Sequence, residues 1–142
     1  MTPEAIDELI ERYRDGFRRL DAEALAFNHV PDGTYESPAH GTLQGRSAIE
    51  GVYRYWFTAF PDLKLEFEEI VKDADSVAVF WTFKGTQKGR FFGLPESPTG
   101  KRVEMKGASL YRLNEHGIAH VQQIFDFTGV LVKAGILKVK PL

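Results

Sequence analysis

Ser47-Ala48-Ile49-Glu50-Gly51-Val52-Tyr53-Arg54-Tyr55-Trp56-Phe57-Thr58-Ala59-Phe60-Pro61-Asp62-Leu63-Lys64-Leu65-Glu66-Phe67-Glu68 changes its hydrophobic period in the middle. Up to Phe60 the apolar residues Ile49, Val52, Tyr53, Trp56, Phe57 and Phe60 recur three and four apart, the stripe of a helix with one buried face. Ser47 and Glu50 have the spacing of a capping box at its start. Pro61-Asp62 stops it, because proline cannot donate the hydrogen bond that a further turn needs. Beyond that point Leu63, Leu65 and Phe67 alternate with Lys64, Glu66 and Glu68, the period of a strand buried on one face. The break divides the chain into a helical half and a strand half, which is an α+β pattern.

Working outward, Thr2 can cap a first helix with Pro3 at its first position and Glu4 and Asp7 near its positive end. Ile6, Leu9, Ile10, Tyr13, Phe17 and Leu20 supply its buried stripe. Asp21 can cap a short second helix over 22–27, and Pro31-Asp32-Gly33 reads as a turn before a short strand at 34–37. Downstream, Val77, Val79, Trp81 and Phe83 form a second alternating set, reached through the turn Asp73-Ala74-Asp75. A Gly/Pro-rich loop runs over 89–100. Two further strands, about 103–113 and 118–127, are joined by Asn114-Glu115-His116-Gly117, and a short helix follows at 129–134. Strands joined by short turns predict a mainly antiparallel sheet that curls around the helices and encloses a pocket with one open end.

The 142 residues predict one domain spanning 1–142. The absence of cysteine excludes thiolate nucleophiles, thiolate metal sites and iron–sulfur clusters. Eighteen Lys plus Arg against twenty Asp plus Glu argue against a nucleic-acid or anionic-membrane partner, which would require a concentrated basic face. The densest apolar run, 77–81, is strand-sized, and Met1-Thr2-Pro3-Glu4 lacks the basic start of a signal peptide; a cytoplasmic protein is expected. Eleven Phe are the unusual feature, serving either a bulky core or a pocket for a flat apolar molecule.

Several strings resemble the SnoaL-like polyketide cyclase family. Phe57-Thr58-Ala59-Phe60-Pro61-Asp62-Leu63 is similar to its FxAFPDL signature. Gly85-Thr86, Gly89-Arg90-Phe91-Phe92-Gly93 and Pro98-Thr99-Gly100-Lys101 are similar to its central glycine motifs. Tyr111-Arg112-Leu113 through Gly117-Ile118 to Asp126-Phe127-Thr128-Gly129-Val130-Leu131 resembles its close. The resemblance implies a nuclear transport factor 2-like α+β cone, a homodimer through the outer sheet face, and a small hydrophobic or aromatic molecule as ligand. It also implies cofactor-free acid/base chemistry, an aldol-type cyclisation with Asp126 as general acid/base. Departures are His120 and Gln122 in place of the family's common Glu and Trp, His116-Gly117 in its turn, and an extra Glu96-Ser97 before Pro98.

On a regular last strand Ile118, His120, Gln122, Ile124 and Asp126 share one face. Gln122 is then placed to hydrogen-bond a carbonyl, whereas His120 lies roughly 20 Å from Asp126 and forms no dyad with it. Further candidates for the lining are Tyr13, Phe17, Tyr35, Tyr53, Trp56, Trp81, Met105, Ser109 and Tyr111, with His40 near the mouth. Asp126 has a second reading, as the cap of the helix that follows it. Two other functions compete: a non-catalytic binder of a small hydrophobic ligand, and a ketosteroid-isomerase-like enzyme, to which Tyr13 is similar in position. The isomerase reading is the weaker, since Glu36-Ser37-Pro38 carries Ser where that branch carries Asp and Ser109 stands where it carries an acid. No metal is expected, because His29, His40 and His116 have no ligand spacing.

Overall fold

The computed structural model describes residues 1–92, 99–138 and 140. The motif residues Gly93 and Pro98 and the Glu96-Ser97 pair lie outside the described residues. In chain order the elements are α1 (Pro3–Arg18), α2 (Ala22–Phe27), β1 (His29–Ser37), β2 (Gly41–Gln44) and α3 (Arg46–Ala59). They continue with β3 (Lys64–Lys72), β4 (Ser76–Thr86), β5 (Arg102–Asn114), β6 (Gly117–Phe125) and α4 (Phe127–Lys133). One sheet of order β2-β1-β6-β5-β4-β3 holds all the strands. Every neighbouring pair is antiparallel except β1 with β6, so the sheet is mixed.

Local chemistry accounts for most boundaries. The Thr2 hydroxyl accepts from Ala5 N and the Asp21 carboxylate from Ala24 N, so both expected caps form. The capping box at Ser47 does not. α3 begins two residues earlier than that box places it, at Arg46, behind Gly45, whose φ of 99° suits a residue without a side chain, and no side-chain cap is made. Pro31-Asp32-Gly33 is no turn either: β1 runs through it, with its register to β6 slipping between His29 and Thr34. The short edge strand β2 was not foreseen.

α1 lies along β3 in the opposite direction, its start linked to the strand's end by Asp7–Lys72 at 2.5 Å. That exposed pair contributes little. The contact is held instead by Ile6, Leu9, Ile10 and Tyr13 of α1 and Ile49, Val52, Tyr53 and Trp56 of α3, packed on Val77, Val79, Trp81 and Phe83 of β4. Gly107 of β5 lets the Trp81 ring lie on the sheet, because a Cβ there would stand 2.4 Å from it. Gln87, fully buried, accepts from Thr99 N and Oγ1 through Oε1 and donates to the Gly89 carbonyl, tying the two ends of the following loop together.

The last strand corrects the sequence reading at the place that matters most. Leu113 faces Ile118 and Arg112 faces His120, so Ala119 is one residue more on β6 than on β5. Such a bulge exchanges the two faces of the strand. Before it Ile118 is inside; after it Val121, Gln123 and Phe125 point inward. His120, Gln122 and Ile124 therefore lie on the outer face, where His120 Nδ1 meets Thr34 Oγ1 at 2.6 Å and Nε2 stands 3.7 Å from Glu36. Among the described residues no helix is long and apolar enough to cross a membrane.

Candidate active site

The sheet and the helices enclose a pocket in the half of the cone toward the C-terminal end of β6. Aromatic rings dominate its wall: Phe17 from α1, Trp56 and Phe57 from α3, Trp81 and Phe83 from β4, and Phe125 from β6. Leu63, Leu65, Val52 and Met105 complete the apolar surface, and Tyr35, Tyr53 and Gln123 supply polar atoms. The free volume is about 60 Å³. That is less than half of the roughly 150 Å³ that admits benzene into an engineered cavity. A ring-sized occupant thus requires the half-buried Phe17, Phe57, Leu65 and Phe125 to move aside.

Beneath this pocket lies a buried chain of hydroxyls. Tyr111 donates to Tyr13 Oη at 3.3 Å, Tyr13 and Tyr53 share a hydrogen bond of 2.5 Å, and Tyr53 Oη lies 2.7 Å from His29 Nε2. Trp81 donates its indole hydrogen to Ser109 Oγ at 2.9 Å. Burial pushes the hydroxyls of Tyr13, Tyr35, Tyr53 and Tyr111 above the usual phenol range, so all remain protonated. Burial and the nearby Arg46 guanidinium push His29 down to about 3, so its ring is neutral. Arg46 itself donates from Nε and Nη2 to the His29 carbonyl, fixing the start of β1. This floor holds no net charge; it offers oriented dipoles.

Behind the wall His40 accepts the Trp56 indole hydrogen on Nε2 at 2.9 Å, which places its own hydrogen on Nδ1. Burial lowers its pKa and favours that neutral form. Phe92 packs against His40, Trp56 and Phe127, and Phe127 against Phe125, so the rim is aromatic too. Asp126 follows Phe125 but is exposed: its Oδ1 accepts from Gly129 N at 2.9 Å and caps α4.

The structure thus brings together Phe17, Tyr35, Tyr53, Trp56, Trp81 and Met105 of the expected lining. Tyr13, Ser109 and Tyr111 stand one layer behind it, in the buried polar network. His40 supports Trp56, Gln122 is on the outer face, and Asp126 is outside the lining. Sequence reasoning missed Gln123 and Phe125, whose facing the bulge reverses. It also set His29 aside after testing it only as a metal ligand. Phe57, Leu63, Leu65 and Phe83 were legible from their apolar spacing. Among the described residues no group of three or more His, Cys, Asp or Glu is placed to hold a metal ion.

The SnoaL-like polyketide cyclase family model matches residues 7–133. No curated protein matches the chain. Among solved structures, TsrD from Streptomyces laurentii superposes with a TM-score of 0.82 at 21% identity, over 96% of this chain and 99% of that one. AclR from Streptomyces galilaeus, described as a proposed hydroxylase, gives 0.82 at 24% identity, over 99% of this chain and 87% of that one. IdmH from Streptomyces antibioticus, described as a proposed polyketide cyclase, gives 0.74 at 26% identity, over 91% of this chain and 97% of that one.

Proposed function

We propose a function from one premise: the chain belongs to the SnoaL-like polyketide cyclase family. Its fold is the α+β cone shared with ketosteroid isomerase-like proteins. In our reading the pocket takes a small apolar carbonyl compound, and the protein promotes an aldol-type ring closure on it by acid/base chemistry without a cofactor. The observation that carries this is a ring-lined pocket in which, among the described residues, only Tyr35, Tyr53 and Gln123 add polar side chains beside the two paired indoles, so an occupant is held by apolar contact and oriented by a few polar groups. Asp126 is the proposed acid/base. It stands directly after Phe125, which lines the pocket, and it is exposed.

The same exposure favours a second reading, a pocket that binds without reacting. Substitution separates the two. A thermal-shift screen against polycyclic aromatics, steroids and small terpenoids first identifies ligands, since one present at a hundred times its dissociation constant stabilises by about 2.7 kcal/mol. Asp126→Asn keeps a good helix cap and is expected to bind these ligands as the wild type does while losing turnover. Full turnover in that variant ends the acid/base role, and ligand recovered unaltered from the wild type leaves the binder.

Two copies are proposed to meet through the outer sheet face. Phe80, Ala108 and Ile124 are cross-strand neighbours there, and Phe80 and Ile124 are 49% and 65% exposed. A second copy would remove this apolar row from water. Ile124→Lys is expected to sediment as a monomer where the wild type sediments as a dimer; a monomeric wild type refutes the contact.

A further inference from the structure

We propose that Tyr53 presents its phenolic hydrogen to an acceptor oxygen of the molecule in the pocket, and that His29 is the positioning residue that directs it there. This rests on the pocket being the binding site for a small carbonyl compound, and names the group that would receive the carbonyl.

The argument is an accounting of hydrogens. A neutral imidazole carries one N–H. His29 is fully buried; Nε2 faces Tyr53 Oη at 2.7 Å, and Nδ1 has no hydrogen-bond partner among the described residues. Either tautomer leaves one hydrogen unpaired among the described residues: on Nδ1 it is sealed in a fully buried ring, whereas with Nε2–H it passes to Tyr53, which lines the pocket and can meet an acceptor there. The ring is therefore assigned as Nε2–H and donates to Tyr53. At the other end Tyr111 donates to Tyr13 Oη, which leaves the Tyr13 hydrogen for Tyr53 Oη at 2.5 Å. Both neighbours of Tyr53 are then donors.

Its oxygen accepts twice and its own hydrogen has no acceptor among the described residues. Tyr53 lines the pocket, so that is where the hydrogen is directed. Hydrogen bonds received by the oxygen polarise its O–H and make it a stronger donor. The consequence for recognition is definite: the occupant must bring an acceptor such as a carbonyl oxygen to this point. The depressed pKa keeps the ring neutral, the state in which its single N–H has to be placed.

The test uses the full chain with cyclohexanone as probe and methylenecyclohexane as its oxygen-free counterpart. In the wild type the carbonyl stretch of bound cyclohexanone is expected at lower frequency than in Tyr53→Phe. Tyr53→Phe is expected to bind cyclohexanone about fivefold more weakly and methylenecyclohexane unchanged. His29→Leu should move the stretch toward the Tyr53→Phe value, and His29→Gln, whose amide N–H reaches toward the place of Nε2–H, should restore it. Should His29→Leu not fold, the Tyr53→Phe and His29→Gln pair decides. Equal frequencies in the wild type and Tyr53→Phe overturn the donor; a His29→Leu spectrum equal to the wild type overturns the positioning role. If methylenecyclohexane binds and cyclohexanone gains nothing over it, the inference fails and the pocket stands. If neither binds, the pocket reading fails and the inference with it.

Discussion

Phe60→Ala is expected to lower the free energy of unfolding by about 3–5 kcal/mol. Phe60 is fully buried, stacked on Trp56 at 5.9 Å and 15°, with Phe83 and Phe91 edge-on at 5.1 Å each. The loss has two parts, the apolar surface returned to water on unfolding and the cavity that rigid neighbouring rings cannot fill. The β4 backbone presses on the same ring, since a Cβ on Gly85 would lie 3.1 Å from it. For a chain of this length the melting temperature should fall by about 10–17 °C. Trp56 and Phe83 also line the pocket, so the new cavity opens beside it and loosens its wall. Urea unfolding checks this: the midpoint should drop with the slope unchanged. A loss below about 1 kcal/mol would mean that the rings collapse into the gap and that the wall is soft. Phe80→Ala, at an exposed site, should stay within about 0.5 kcal/mol.

The second large effect is on acid stability. His29 goes from its ordinary 6.5 down to about 3 on folding. Below the unfolded value the unfolded chain binds a proton that the folded chain does not, so stability falls as the pH falls. The loss begins near 6.5 and continues to about 3, with a slope of about 1.4 kcal/mol per pH unit in the middle of that window. Carboxylates add their own acid dependence, so the contribution of His29 is the difference between the wild type and His29→Gln. Urea midpoints from pH 7 to 4 should drop more steeply in the wild type, and the two curves should run parallel above 7. Parallel curves throughout would show that His29 takes up its proton in the folded state as readily as in the unfolded chain.

What is buried at this site explains what was legible. Helical and strand stripes such as Ile49-Val52-Tyr53-Trp56 and Val77-Val79-Trp81-Phe83 announce their inner faces because one side of each element is excluded from water. Phe17, Trp56 and Trp81 belong to such stripes and are found in the pocket wall, and the caps at Thr2 and Asp21 follow from short-range chemistry. Gly45 and the strand through Pro31-Asp32-Gly33 were missed because their conformations are set by pairing with distant chain, not by their own propensities.

By itself, then, the sequence determined the order of the helices and of the strands other than β2, the α+β class and the aromatic character of the interior. These depend on which residues avoid water and on turn chemistry within a few positions. Only the tertiary structure decided which face of β6 meets the pocket, because one unpaired residue, Ala119, is defined solely by its partner strand β5. It put Gln123 inside, and Gln122 and Asp126 outside the lining. It also joined Tyr13, His29, Tyr53 and Tyr111, residues up to 98 positions apart, through hydrogen bonds that carry no local sequence signal.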